Sequence, residues 1–183
     1  MFRCTLVVAW AALALPLSAT TIARATLDEL IEKSTSIVRG KVLRVYGVRN
    51  GGLVSTYVRV GVIERLKGPE AAEVEVVIPG GTAGGLVQKV SGVPQLVEGA
   101  EHVLFLWRGR SGQTRLLGLG QGVLDLGKGP AGEPVVTRQA IDAHIVDPAS
   151  GRAVEPEVVS LRYADFAARV KRVLASTART EAK

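Results

Sequence analysis

From residue 36 onward, apolar positions alternate with polar ones. Val38, Gly40 and Val42 are separated by Arg39 and Lys41, and the run continues through 43–48 to Asn50-Gly51-Gly52. A period of two sends successive side chains to opposite faces of a strand, and Asn-Gly accepts the positive φ of a tight hairpin turn, so the pattern predicts two long antiparallel strands joined there. The returning strand carries Val54, Thr56, Val58, Val60 and Val62 on one face and Ser55, Tyr57 and Arg59 on the other, ending at Leu66-Lys67-Gly68-Pro69. Val74, Val76 and Ile78 against Glu73 and Glu75 predict a third strand, stopped at Pro79-Gly80-Gly81. A fourth, over 102–107, is apolar on both faces through Val103-Leu104-Phe105-Leu106, as expected of a strand covered on both sides. Residues 116–119 and 123–126 follow at similar spacing, and Val135-Val136 adds a short edge strand.

At the two ends the period lengthens to that of a helix. Thr26 and Glu29 have capping-box spacing, and Leu27, Leu30 and Ile31 share one face, which predicts a short helix over 27–34. So short a helix needs tertiary contacts, and a disordered segment is the alternative. After Pro156, Ser160 is placed to cap a second helix with Tyr163, Phe166, Val170, Val173 and Leu174 as its apolar stripe. The fold class that follows is mainly β: an antiparallel OB-like barrel or small sandwich, with a short N-terminal helix and a C-terminal amphipathic helix.

The first 25 residues have a different character. Met1-Phe2-Arg3 is a basic start, 4–17 is an apolar run broken by Thr5 and Pro16, and Ala23-Arg24-Ala25 is a small-x-small cleavage pattern. This is the composition of a secretory signal peptide, with Leu17-Ser18-Ala19 as a second place for the cut. An uncleaved anchor is the alternative, but the apolar run is shorter than the ~20 residues that span a bilayer. The domain reading is therefore 1–25 signal peptide, 26–160 β domain and 161–183 basic helix packing on it, with a periplasmic or extracellular destination. Cys4 is the one cysteine and lies at the start of the apolar run, so the body must hold its fold without disulfides. A chain of 183 residues suits one domain.

Charge separates the body from the tail. Residues 26–160 balance 15 Lys and Arg against 15 Asp and Glu, while 161–183 carry six cations against Asp165 and Glu181. The body shows no basic stripe interleaved with aromatics along the chain, and nucleic acid is not an expected partner. The basic tail helix either docks on the body or makes weak contact with an anionic surface.

Ser36-Ile37-Val38-Arg39-Gly40-Lys41-Val42, Leu66-Lys67-Gly68-Pro69, Pro79-Gly80-Gly81, Gly99 with Val103-Leu104-Phe105-Leu106, and Gly118-Leu119-Gly120-Gln121-Gly122, behind a leader, together resemble an uncharacterised family of exported bacterial β-domain proteins. The resemblance covers roughly 27–126 and the closing helix. More distantly, a V-x-G-x-V strand, a returning strand ending in L-K-G and a later L-F-L strand are similar to netrin-like modules and tissue inhibitors of metalloproteinases, which implies an OB-type barrel. Those inhibitors reach the protease metal through a disulfide-bonded N-terminal cysteine, which a chain cut after Ala25 lacks, so the resemblance does not imply that mechanism.

Patterns that carry chemistry are sparse. G-x-S-x-G, H-E-x-x-H and a phosphate loop do not occur, and Gly80-Gly81-Thr82-Ala83-Gly84-Gly85 has the composition of a turn. His102 and His144 would need Glu98, Glu101, Asp142 or Asp147 brought beside them to bind zinc, and Asp142 with Asp147 could flank calcium, although Asp147-Pro148-Ala149-Ser150-Gly151 reads as an ordinary turn. No catalytic, cofactor or metal residue is therefore assigned. Residues 79–99 are long for a connection and rich in both glycine and Leu/Val, which predicts either the rim of a binding surface or a further strand at 86–90 with 93–97 packed on it. Gln88, Lys89 and Gln95 are its candidate partner-binding side chains. The expected function is a non-catalytic binding or structural module for an envelope or extracellular protein or polymer. The alternative is a secreted hydrolase assembled from dispersed His, Asp and Glu residues.

Overall fold

The structure, a computed structural model, describes residues 21–181. Most of the leader expected from the sequence, 1–20, lies outside the described residues. Its last five residues do not: Thr21–Ala23 forms a short strand, β1.

The predicted hairpin is present and longer than its apolar run. β2 (Ser36–Asn50) and β3 (Leu53–Lys67) pair antiparallel along their length, and Gly51, at φ 59°, supplies the left-handed turn residue. Three register shifts interrupt this ladder, leaving Leu66 and Ile63 of β3 and Leu43 of β2 without an opposite residue, the pattern of bulges that bend and twist a strand. β4 (Glu73–Pro79) adds to β3, and β7 (Glu101–Arg108) adds to the other side of β2. β8 (Thr114–Leu116) pairs in parallel with β4 and antiparallel with β7. A 3-10 turn, Leu119–Gly122, then returns the chain to β9 (Val123–Lys128), which pairs with the N-terminal half of β7. β10 (Pro134–Arg138) and β12 (Ser160–Arg162) extend this sheet to eight strands. The strand predicted at 116–119 instead runs Thr114–Leu116, and Gly118 and Leu119, at φ 69° and 53°, turn the chain into the 3-10 segment.

Alternation along β7 explains its doubly apolar sequence. Leu104 and Leu106 face Val38, Val42, Val58, Val60, Val76 and Ile78 in one apolar cluster. Val103 and Phe105 face the opposite way, into a second cluster with Leu27, Ile31, Ile37, Leu124, Phe166 and Val170. Two helices roof that second cluster. α1 (Leu27–Lys33) is closed by the expected capping box between Thr26 and Glu29 and buries Leu27, Leu30 and Ile31. α2 (Tyr163–Glu181) buries Phe166 and Val170, with Phe166 meeting Phe105 edge to face at 6.2 Å. The apolar face of this helix packs on the body through Phe166 and Val170. Lys171, Arg172 and Arg179 remain on its exposed side.

Ser160 does not cap α2. It is the first residue of β12, which pairs with 135–137 of β10, and backbone pairing there takes precedence over the side-chain capping signal. Two small sheets complete the chain: β5 (Gly81–Ala83) with β6 (Leu86–Gln88), and β1 in parallel with β11 (His144–Val146). No helix among the described residues is long and apolar enough to cross a membrane.

Candidate ligand cleft

The 79–99 segment folds back over one end of the large sheet. After β4 the chain makes the β5–β6 hairpin, which pairs only with itself, so 86–90 is not a further strand of the main sheet. The following stretch is stitched down by backbone bonds: Gly92 N donates to Asp142 O and Gly99 N to Val42 O, both at 2.8 Å. The Val45 amide donates to Glu98 Oε1 at 2.8 Å. Leu96 is buried in the first apolar cluster with Val93 packed against it, which accounts for the apolar content of this connection.

Between this segment and the sheet lies a cleft of about 700 Å³. Val45, Val58 and Ile78 supply apolar walls, while Gln88, Lys89 and Gln95 all line it. The three candidates singled out from sequence are thus brought together, though with unequal roles. Gln88 Oε1 accepts the Val54 amide at 2.8 Å, so this side chain ties the small hairpin to β3. Lys89 and Gln95 are exposed, and Asp142 stands on the same cleft as an acidic group. Such a mixture of apolar wall and a few polar groups suits recognition of an amphipathic ligand.

A second cleft, about 630 Å³, is lined by Val38, Val62 and Leu106 together with Tyr57, Arg65 and Arg108. Its two cations are each engaged locally: Arg65 Nη1 donates to Gly68 O at 2.7 Å and Arg108 Nε to Gly112 O at 3.1 Å.

The dispersed titratable residues do not assemble. His144 is exposed on β11, whereas His102 is 4% exposed on β7. Glu98 is taken by the Val45 amide and Glu101 by Arg39 at 3.1 Å. Asp147 accepts from the amides of Ala149 and Ser150 and from the Ser150 hydroxyl, forming the turn expected of its sequence. Those Ser150 bonds hold its carboxyl below the usual carboxylate value. Among the described residues no three His, Cys, Asp or Glu side chains are grouped to hold a metal.

Sequence reasoning missed two polar arrangements. His102 Nδ1 lies 2.8 Å from Asp125 Oδ1, which also accepts from Gln139 Nε2 at 2.7 Å, and His102 Nε2 is enclosed without a partner. The pair depends on β7–β9 register, where His102 stands opposite Asp125, and no local motif encodes that. The second is a group of ion pairs joining α1, α2 and β10. Arg169 Nε bonds Asp28 Oδ1 at 2.7 Å, and the Glu157 carboxylate stands 4.0 Å from Arg169 and 3.9 Å from Arg138, whose Nη1 also donates to the Glu157 backbone carbonyl at 2.9 Å. Burial holds the Arg138 guanidinium below its ordinary pKa, an effect opposed by Glu157.

No protein-family model matches the chain, and no curated protein matches it.

Proposed function

We propose that this chain is an exported, non-catalytic binding module on an OB-like barrel, taking part of an envelope or extracellular protein or polymer into the cleft beneath 79–99. The barrel reading is supported by the hydrogen-bonded order β2-β3-β4-β8-β7: β8 pairs with both β4 and β7, and β7 pairs back to β2, so the order is cyclic. Connections that flank the strand ends of such barrels are where ligands are recognised. Export rests on the basic, apolar and small-residue pattern at the start of the sequence.

The observation that carries the binding reading is the convergence of Gln88, Lys89 and Gln95 on one cleft with an apolar wall. Lys89 and Gln95 are the contact residues in this reading, because Gln88 already serves the fold. The test is the double substitution Lys89→Ala with Gln95→Ala. Its expected result is an unchanged melting temperature and at least tenfold weaker retention of envelope components on the immobilised protein. Equal retention by wild type and variant rejects the cleft as the binding surface.

The hydrolase reading is favoured only by the His102–Asp125 contact. His102 Nε2, the atom that would serve as base, is enclosed within the fold, which argues against its reaching a substrate. Hydrolysis of ester or peptide probes that disappears in His102→Ala, with the fold intact, would establish that alternative.

A further inference from the structure

Residues 21–25, at the start of the described chain, are part of the folded body. In the β1–β11 pair Thr21 lies beside His144, Ile22 beside Ile145 and Ala23 beside Val146. The Arg24 amide continues the contact, donating to Val146 O at 2.8 Å. Gln121 has no exposed surface, and both ends of its amide are used on this same segment. Its Nε2 donates to Ala23 O at 2.9 Å and its Oε1 accepts from Ala25 N at 2.8 Å. A carbonyl and the N–H two residues on are what a strand offers to its neighbour, so the Gln121 side chain serves as a rung of a ladder.

The same segment supports the candidate cleft from behind. A Cβ added to Gly92 would stand 2.3 Å from Ile22 Cδ1 and 3.1 Å from the Ala143 Cβ, so Ile22 occupies the space that the absent side chain leaves. Gly92 lines the cleft, and its backbone is bonded to Asp142 and Gly120.

We infer that leader removal occurs at the Ala19–Thr20 bond, upstream of β1, so that the mature protein begins at Thr20 and keeps this strand behind its ligand cleft. The inference rests on the export reading given above. In the step, an export peptidase hydrolyses the Ala19–Thr20 amide: water supplies the oxygen of the new Ala19 carboxylate, and the nitrogen leaves as the Thr20 α-ammonium. Ala19 offers the small residue required before the bond, although the bulky Leu17 two places earlier fits a small-x-small pattern less well than Ala23 does. A cut after Ala25 would strip β11 of its partner and leave both polar ends of an enclosed glutamine unpaired. It would also empty the space that Ile22 fills against Gly92.

The test is to express the full chain in an exporting bacterium and to determine the intact mass and N-terminal sequence of the exported product. The expected start is Thr20, and a start at Thr26 overturns the inference. Thr20→Pro, which alters the backbone on the leaving side of the bond, should accumulate as uncut precursor, whereas Ala25→Leu should leave the start unchanged; the reverse pattern also overturns it. Chains that all keep Met1 and stay in the cytoplasm would refute the export reading itself, a result distinct from a Thr26 start. Hydrogen exchange on the exported product gives an independent readout. The Arg24 and Ala25 amides should exchange slowly, with at least tenfold acceleration at Ala25 in Gln121→Ala, and fast exchange at both in the wild type would show that the segment is not held.

Discussion

Replacing Phe166 by alanine tests the roof that α2 forms over the sheet. The side chain has no exposed surface, meets Phe105 edge to face at 6.2 Å and 86°, and lies 6.2 Å from the Tyr163 ring. Phe-to-Ala truncation in such surroundings removes both the transfer free energy of the ring and the contacts around the cavity it leaves, about 3–5 kcal/mol together. The edge-to-face pair supplies ~0.5–1.5 kcal/mol of this beyond simple burial. Since domains of this kind are stable by only about 5–15 kcal/mol, the loss would be a large fraction of the total. Urea unfolding followed by circular dichroism measures it, with an unchanged m-value showing that the unfolded state is the same. Lys171→Ala and Arg172→Ala, on the exposed side of the helix, should stay within about 0.5 kcal/mol of wild type. A loss below about 1 kcal/mol for Phe166→Ala would refute the packing argument and would mean that α2 contributes little to holding the domain together.

Two further predictions concern the β2–β3 contact and the start of α2. Gly40→Ala places a methyl 2.4 Å from Val60 Cγ1 and 2.8 Å from the Gly61 carbonyl oxygen, so β2 must shift away from β3; thermal melts should show a loss of ~1–3 kcal/mol, and a neutral result would contradict the crowding. Tyr163, whose hydroxyl donates to Glu64 Oε2 at 2.6 Å, has its phenol pKa raised by burial first and by Glu64 second. The fold favours the protonated phenol, so its stabilising contribution is complete below the ordinary tyrosine value of about 10 and is lost as pH rises towards the raised one. The ultraviolet difference titration of wild type against Tyr163→Phe should report a phenol ionising well above pH 10, and a difference centred at or below that value would refute this.

The large sheet was readable because its strands satisfy a local rule. Val38–Val42 and Val54–Val62 alternate strictly, Asn50-Gly51 marks the turn between them, and β7 announces two covered faces by being apolar at every position from 103 to 106. The missed elements have little pattern of their own. β1, β5 and β11 are three residues each, too short for a period to emerge, and form because a partner is held beside them, whereas β6 falls within the strand offered at 86–90 but pairs with β5 instead of the main sheet. β12 was hidden by Ser160, whose capping signal is real but weaker than the three-residue pairing to β10. Of the candidate site, Gln88, Lys89 and Gln95 were legible as polar positions in an unusually apolar connection. Gln88's role in tying down Val54 was not, since it depends on where the β5–β6 hairpin lands. The His102–Asp125 contact joins residues whose proximity comes only from strand register.

The placement of β7 bears on how the molecule comes apart. Its backbone is the shared wall of both apolar clusters, with Phe105 facing the helices and Leu104 facing the other way. Loosening the helical layer exposes one side of that wall, and loosening the opposite layer exposes the other, so loss of either layer should destabilise its neighbour. β2 and β7, which must meet to build the wall, are paired across sequence separations of about sixty residues or more, such as Lys41 with Glu101. Local helix formation alone therefore cannot nucleate the domain; its folding waits on a long loop closure, and unfolding should be a single transition in which both layers are lost together.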